Sequence, residues 1–314
     1  RVKIRFDCQR RWSRRDVAHS LKNRPAGTGL DLSLPGGFVC AFGLHGAFAK
    51  IRAGGISDYM LKQELERIRT LVHQRAAEVF AERRQAAAGM GAFMGDFLLR
   101  LEDSLQGGKA VRATLVMHGA LACGAQERSA FIDLALAMEI FHTYLLIHDD
   151  IIDQDDLRRG KPAFHAQYSL FQQDGYRPRD GAHFGQAMAI MAGDILSSIG
   201  YDLVTKADMP PAARLAILEQ VNRMLFETGA GEVLDIINDI AEEATRGHLL
   251  KVHLLKTCKY SFCSPLLIGA IAAGGSRKQM DLLESYALPI GVAYQLHDDL
   301  LGLFGDEAEI GKPI

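Results

Sequence analysis

Three features of the sequence predict an all-α fold. Apolar residues recur at helical spacing in successive stretches of about 15–25 residues from residue 57 onward. Only 9 of the 314 residues are proline, and the segments between these stretches do not alternate apolar and polar residues as a half-buried strand does. We therefore expect one large bundle of packed helices.

The helices can be assigned in order along the chain. The first is predicted at 60–84, where Ser57 or Asp58 can cap its N-terminus. Pro211 suits the first turn of a later helix, and the polar segment 167–183, which contains glycine and proline, is predicted to be a loop. The other helices are predicted at 92–105, 110–123, 128–152, 185–206, 211–228, 230–245, 248–273 and 278–303.

The charge is distributed unevenly. Residues 1–25 contain nine lysines and arginines against two aspartates, a local charge of +7, so the total of −2 leaves −9 for the rest of the chain. We expect a basic leader at 1–56, disordered or non-native, followed by a folded domain at 57–314. A secretory signal or an organellar transit peptide is a weaker interpretation of the leader.

Charge and composition argue against several classes of protein. A net charge near zero disfavours a nucleic-acid binder that works by bulk electrostatics. No window contains about 18 uncharged apolar residues, as a membrane span would; the nearest, 130–147, is interrupted by three polar residues. Five scattered cysteines without metal-binding spacing indicate free thiols in a reducing compartment, so we expect a cytoplasmic protein.

The first candidate site is a group of aspartates after the apolar run 141–147. On a helix, Asp149 and Asp153 lie one turn apart and share a face, with Asp150 beside Asp153. Carboxylates at the end of a buried helix need compensation, and aspartate oxygens suit Mg²⁺. The alternative interpretation is a solvated charged turn.

A second pair, Asp298 and Asp299, also follows an apolar helical stretch. Two such pairs could face each other across a bundle and hold several Mg²⁺ ions between them. Because Mg²⁺ usually completes its coordination with water and substrate phosphates, the implied ligand is a diphosphate.

Basic residues near both aspartate pairs support this interpretation. Each one alone is usually a solvated surface feature, but together with the aspartate pairs they favour a site for two phosphate groups. One group, at a loop-to-helix junction, adds backbone N–H donors and the helix dipole. The basic residues concerned are Lys109, Arg112, Arg158, Arg159, Lys161, Lys256, Lys259 and Lys312.

With these motifs the sequence resembles the trans-isoprenyl diphosphate synthases (polyprenyl synthetases). The resemblance covers about four-fifths of the chain, from about residue 57 to the end. The motifs that carry it are GGKAVRATL (107–115), MEIFHTYLLIHDDIIDQDDLRRGKPAFH (138–165), GEVLD (231–235), LKTCKYS (255–261) and YQLHDDLLGLFGDEAEIGKP (294–313). It implies helices around a central cavity, with the two aspartate motifs opposed across its mouth.

The resemblance also implies roles for individual residues. About three Mg²⁺ ions would be bound with an allylic diphosphate by Asp149, Asp150, Asp153, Asp298 and Asp299. The allylic diphosphate would contact Arg158, Lys256 and Lys312. Isopentenyl diphosphate would be bound by Lys109, Arg112, His142 and Arg159. Thr257 and Gln295 would lie beside the reacting carbons.

The implied reaction is ionisation of the allylic diphosphate, attack by the double bond of isopentenyl diphosphate, and loss of a proton. The primer would be dimethylallyl, geranyl or farnesyl diphosphate. Tyr144, five residues before Asp149, would limit chain length and indicates a geranylgeranyl (C20) product, with farnesyl (C15) next and C25 as a further alternative. The alternative interpretation of Tyr144 is an ordinary core aromatic. No side-chain nucleophile is needed, and His148, His165 and His297 are equally well explained as structural residues.

The chain departs from the family pattern in four places. Gly302 replaces a third aspartate, the first basic motif reads GGKAVRA, Glu232 stands where glutamine is frequent, and the chain ends at Ile314, so we expect missing C-terminal helices. The alternative functions are a class I terpene cyclase and a non-catalytic regulatory subunit, although both aspartate pairs are retained. The family implies a homodimer.

Overall fold

The computed structural model describes residues 58–127, 129–171, 177–241 and 245–304. Regular structure within these residues is almost entirely helical, which confirms the predicted all-α fold. The described residues from 65 onward belong to one compact unit. The predicted leader at 1–56 lies outside the described residues, and the boundary at residue 57 stays a prediction.

Ten α-helices and a π-helical segment, His253–Cys263, run through the described part of the chain. Two short 3₁₀ turns, Ala88–Met90 and Ser129–Phe131, precede the second and fourth helices. The α-helices are α1 (Asp58–Ala86), α2 (Ala92–Ser104), α3 (Val111–Ala122), α4 (Ile132–Ile152), α5 (Phe164–Ser169), α6 (Gly181–Lys206), α7 (Pro211–Ile240), α8 (Arg246–Val252), α9 (Ser264–Ala272) and α10 (Arg277–Phe304).

Two predicted helices, 211–228 and 230–245, are one continuous helix, α7. The prediction was wrong because it took Gly229 as a break, whereas one glycine inside a long helix costs only about 1 kcal/mol. Conversely, the predicted helix 248–273 is interrupted by the π-helical segment. A π-helical stretch is rare and is often found at functional sites.

The predicted loop at 167–183 is shorter than expected. Helix α5 continues to Ser169, and α6 already begins at Gly181. The side chain of Asp180 caps α6, since its Oδ1 accepts the backbone N–H of His183 at 3.1 Å. Residues 172–176 lie outside the described part of the chain.

A small antiparallel hairpin joins α4 to α5. Its strands are β1 (Leu157–Arg158) and β2 (Lys161–Pro162), which are too short to produce a recognisable alternation in the sequence. The two loop residues, Arg159 and Gly160, have φ of 54° and 74°, the positive values that a type I′ turn requires. A non-glycine residue in this region costs about 1–2 kcal/mol, so contacts of Arg159 elsewhere must hold the hairpin.

Helices α3 and α9 cross with their backbones in contact. A Cβ atom on Gly119 would lie 2.1 Å from the carbonyl oxygen of Leu266, and one on Gly269 would lie 1.9 Å from that of Val116. Helix α9 follows the π-helical segment directly, and α3 follows the GGK loop. The close crossing therefore fixes these two parts of the predicted site relative to each other.

Among the described helices, α6 is long and apolar enough to cross a membrane by length and composition. The sequence had placed the nearest candidate at 130–147 instead. Helix α6 packs against α4 and α5 and buries residues such as Ala189, Ala192 and Leu196 completely. A core helix of a folded domain meets the same two criteria.

Candidate active site

Three carboxylates from two helices meet at the end of α4. One oxygen from each of Asp149, Asp153 and Glu232 lies within 4.8 Å of the other two. The predicted shared face of Asp149 and Asp153 accounts for the α4 part of the group, and α7 supplies Glu232. Desolvation and the neighbouring Asp149 raise the pKa of Asp153. Oxygen donors this close together fit a divalent cation such as Mg²⁺.

Lys256, on the π-helical segment, reaches into this acidic group. Its Nζ lies 2.8 Å from Glu232, 3.0 Å from Asp235 and 3.5 Å from Asp149. Burial by itself would lower the pKa of Lys256. Hydrogen bonds to Glu232 and Asp235 outweigh this effect, so the pKa is raised. The approach depends on Gly231, where a Cβ atom would lie 2.7 Å from the backbone nitrogen of Lys256.

Asp150 is held differently from its two neighbours. It is buried, with 3% of its surface exposed, and its Oδ1 accepts a hydrogen bond of 2.7 Å from Nε of Arg158 and another from Nη2 of the same residue. Desolvation raises the pKa of Asp150, and Arg158 opposes that shift. In this structure the carboxylate of Asp150 orients Arg158. The metal-binding role inferred for Asp150 stays a prediction.

The second aspartate pair is connected to the π-helical segment by hydrogen bonds. The hydroxyl of Thr257 donates to Oε1 of Gln295 at 2.6 Å, and Nε2 of Gln295 donates to Oδ1 of Asp299 at 2.8 Å. The other oxygen of Asp299 lies 3.1 Å from Nε2 of His253. Three of the predicted residues therefore form one polar chain between the π-helical segment and α10.

Asp298 is exposed and lies on the same turn of α10. Desolvation raises the pKa of Asp298, while the charges of His297 and Lys109 oppose that shift. Lys109 is exposed in the GGK loop. Its electrostatic effect on Asp298 links this loop to the second aspartate pair.

Three of the four predicted isopentenyl diphosphate residues, Arg112, His142 and Arg159, form a cationic group, and the fourth, Lys109, acts on Asp298 instead. Burial, followed by the charges of Arg112, Arg159 and Arg158, lowers the pKa of His142 well below its usual value, so its ring is neutral at pH 7. Arg159 donates to the carbonyl oxygen of Gln106 at 2.7 Å, a contact that holds the hairpin loop. Several guanidinium groups at close range favour a bound anion.

Tyr260 belongs to this group but was not among the predicted site residues. Its hydroxyl oxygen lies 2.5 Å from Nδ1 of His142, and its ring lies under the guanidinium of Arg112, 4.4 Å from centroid to Cζ. Arg112 also donates to Oγ of Ser261 at 2.6 Å. The helical spacing between Lys256 and Tyr260 within the LKTCKYS motif could have indicated that both face the site.

Glu139 is a second residue that the sequence analysis missed. Its Oε1 accepts the backbone N–H of Ala113, in the first turn of α3, at 2.9 Å. The sequence had predicted an anion at this helix N-terminus, and one of the free donors there is satisfied by a carboxylate of the chain itself.

Tyr144 is half-buried and faces α6. Its ring packs edge-on against that of His148, with centroids 5.1 Å apart. Burial, followed by the charge of Asp194, raises the pKa of Tyr144. Nε2 of His148 donates to the carbonyl oxygen of Ile190 at 3.1 Å. The role of Tyr144 in chain length stays a prediction.

The remaining predictions concern lysine and cysteine residues. Lys312 lies outside the described residues, as do Cys8 and Cys40. The three described cysteines, Cys123, Cys258 and Cys263, are free thiols. Burial raises the pKa of Cys258 and of Cys263 to about 12.

The all-α domain belongs to the class of isoprenoid synthase folds, as comparison with known proteins shows. The family model for polyprenyl synthetase matches residues 99–314. A geranylgeranyl pyrophosphate synthase from Corynebacterium glutamicum, solved with isoprenyl diphosphate and magnesium, is similar with a TM-score of 0.75 and 32% identity. This similarity covers 79% of this chain and 71% of that one. The chain belongs to the polyprenyl synthetase family.

Two curated relatives illustrate the range of activities in similar proteins. A farnesyl diphosphate synthase from Geobacillus stearothermophilus is 35% identical over 215 residues, 66% of each chain. A geranylgeranyl diphosphate synthase from Methanosarcina mazei is 31% identical over 206 residues, 66% of this chain and 58% of that protein. The match thus spans 66% of the length of the first relative and 58% of that of the second.

Proposed function

We propose that the chain is a short-chain trans-prenyltransferase that condenses isopentenyl diphosphate with an allylic diphosphate. The observation that carries the proposal is the position of two consecutive residues. Lys256 contacts the carboxylates at the end of α4, and Thr257 is joined through Gln295 to Asp299 on α10. One segment therefore connects both aspartate pairs, as a site for a metal-bound diphosphate requires.

Mg²⁺ is the proposed cofactor, and the carboxylate donor set fits it. It would be held by Asp149, Asp153 and Glu232 on one side and by Asp298 and Asp299 on the other. When bound, it would neutralise charge on the allylic diphosphate and favour its departure. Removal of the metal with EDTA is expected to abolish turnover, and activity retained in EDTA would contradict this part of the proposal.

Basic side chains of the protein would supply the remaining contacts to the two diphosphates. We assign the allylic diphosphate to Arg158 and Lys256, both next to Asp149. A second diphosphate, that of isopentenyl diphosphate, fits the group formed by Arg112, His142 and Arg159. Arginine suits this role because its planar fork donates two parallel hydrogen bonds to a phosphate.

In the proposed reaction, the allylic carbon–oxygen bond breaks and the diphosphate leaves with the electron pair. The double bond of isopentenyl diphosphate attacks the resulting cation, a new carbon–carbon bond forms, and a proton is lost to the released diphosphate. The chain orients the two substrates and stabilises the leaving group. Histidines such as His148, whose Nε2 donates to a backbone carbonyl, are not required as bases.

The proposal is tested by incubating the protein with Mg²⁺, radiolabelled isopentenyl diphosphate and each of dimethylallyl, geranyl and farnesyl diphosphate. A linear prenyl diphosphate is expected, with C20 favoured over C15. A cyclised hydrocarbon would instead indicate a terpene cyclase. Absence of any product, with stimulation of a partner synthase, would indicate a regulatory subunit. The homodimer and the cytoplasmic location stay predictions, and sedimentation would test the first.

A further inference from the structure

Tyr260 lies where three elements of the site meet. It is 5% exposed, and it comes from the π-helical segment. Its hydroxyl contacts His142 of α4, while its ring packs under Arg112 of α3. Lys256 and Thr257, which connect the two aspartate pairs, belong to the same π-helical segment. Tyr260 therefore links the cationic group to the segment that carries the allylic side of the site.

The direction of its hydrogen bonds follows from the chemistry of the partners. A guanidinium group only donates hydrogen bonds, so Arg112, whose guanidinium lies over the ring of Tyr260, can accept nothing from its hydroxyl. Burial raises the pKa of Tyr260 and lowers that of His142, so the phenol is protonated and the imidazole is neutral at pH 7. The phenol hydrogen is then directed to Nδ1 of His142, and the ring hydrogen of His142 is on Nε2.

We propose that Tyr260 is a positioning residue which fixes His142 in the tautomer protonated at Nε2 and holds the guanidinium of Arg112. Both residues then present hydrogen-bond donors to one diphosphate, that of isopentenyl diphosphate. The assignment of this ligand rests on the proposed function, whereas the tautomer of His142 is a property of the free protein.

A neutral histidine has one donor and one acceptor nitrogen, and only the donor can bind a phosphate oxygen. Without a partner at Nδ1, the ring distributes its hydrogen between both nitrogens, and an acceptor then faces the anion for part of the time. The hydroxyl of Tyr260 removes this ambiguity, much as carboxylates and carbonyls fix the tautomer of histidines in metal sites.

The tautomer is measured by nitrogen NMR on the free protein with ¹⁵N-labelled histidine, using His142→Gln to assign the signals. In the wild type, Nε2 of His142 is expected to be protonated and Nδ1 to be an acceptor. Tyr260→Phe should shift both nitrogens toward the averaged values of a mixed tautomer. A wild-type His142 protonated at Nδ1, or signals that are unchanged in Tyr260→Phe, would overturn the proposal.

Tyr201→Phe is a matched control, because it removes another phenol hydroxyl with a defined partner, Oδ1 of Asn222 at 2.6 Å. Tyr201 packs against Phe141 rather than the cationic group. This variant should leave the signals of His142 unchanged.

Binding of isopentenyl diphosphate gives the second measurement. Calorimetry should show that Tyr260→Phe binds isopentenyl diphosphate about fivefold to tenfold more weakly than the wild type. The KM for the allylic substrate should be unchanged. Equal affinity in the two proteins would overturn the positioning role even if the tautomer shifts. If the wild type itself fails to bind isopentenyl diphosphate, the proposed function is wrong, and the tautomer experiment still decides whether Tyr260 orients His142.

Discussion

The ammonium nitrogen of Lys256 lies 2.8 Å from a carboxylate oxygen of Glu232. One carboxylate oxygen of Glu232 also lies within 4.8 Å of an oxygen of Asp149 and an oxygen of Asp153. The sequence showed a glutamate at a position where relatives often have glutamine, but it did not show that this residue joins the acidic group. The contact makes Glu232 a third carboxylate of the proposed metal site, with Lys256 as its counter-charge.

We expect Glu232→Gln to weaken divalent-cation binding about tenfold, since an amide oxygen replaces a charged ligand. Titration of the free protein with Mn²⁺, monitored by calorimetry, measures the affinity for the cation directly. Asp235→Asn is the matched control, because Asp235 also contacts Lys256 but lies outside the group of three. An equal loss of affinity in both variants would show that Glu232 contributes only net charge.

Tyr144→Ala should lengthen the product, because a smaller side chain at this half-buried position leaves room for further isoprene units. Analysis of products made from radiolabelled isopentenyl diphosphate is the measurement. Tyr286→Ala, at an exposed tyrosine of α10, controls for the loss of an aromatic ring elsewhere. An unchanged distribution of chain lengths in Tyr144→Ala would remove Tyr144 from this role.

The neighbouring aspartates should differ in their effect on stability. Asp150→Ala leaves the half-buried Arg158 without its main partner, a loss we expect to cost about 3 kcal/mol of unfolding free energy. Asp153 is exposed and lies among like charges, so Asp153→Ala should change stability by less than about 1 kcal/mol. Urea unfolding in EDTA compares the two, and similar losses would show that the bond between Arg158 and Asp150 is unimportant.

His142 should make stability depend on pH. Burial lowers its pKa in the folded state, so between the folded pKa and about 6.5 only the unfolded chain binds a proton there. The unfolded state then carries more protons, and stability falls as the pH drops, by up to about 1.4 kcal/mol per pH unit.

His142→Gln removes this contribution, so unfolding between pH 6.5 and pH 5 should be less pH-dependent than in the wild type. The measurement is the free energy of unfolding by urea at each pH. Parallel curves for the two proteins would mean that His142 is protonated in the folded state.

Much of the fold and part of the site follow from the sequence alone. Helical periodicity gives most of the helices because each one buries a continuous apolar face. The i,i+4 spacing of Asp149 and Asp153 determines their shared face, since Asp153 is the C-cap of the helix that contains Asp149. By contrast, local spacing contains no information on which helices meet, so the inclusion of Glu232 was not predictable from it.

Tertiary packing gave neighbouring residues of the same type different surroundings. Asp149 and Asp150 are adjacent in sequence and point about 100° apart on the helix. Packing then decides what each one meets: Asp149 lies beside Glu232 and Lys256, and Asp150 is buried against Arg158. Packing also brings the backbone of the π-helical segment against α7, at Gly231. The sequence thus determined the helices and the chemical types of the site residues. The packing of α3, α4, α7 and the π-helical segment determined which of those residues touch.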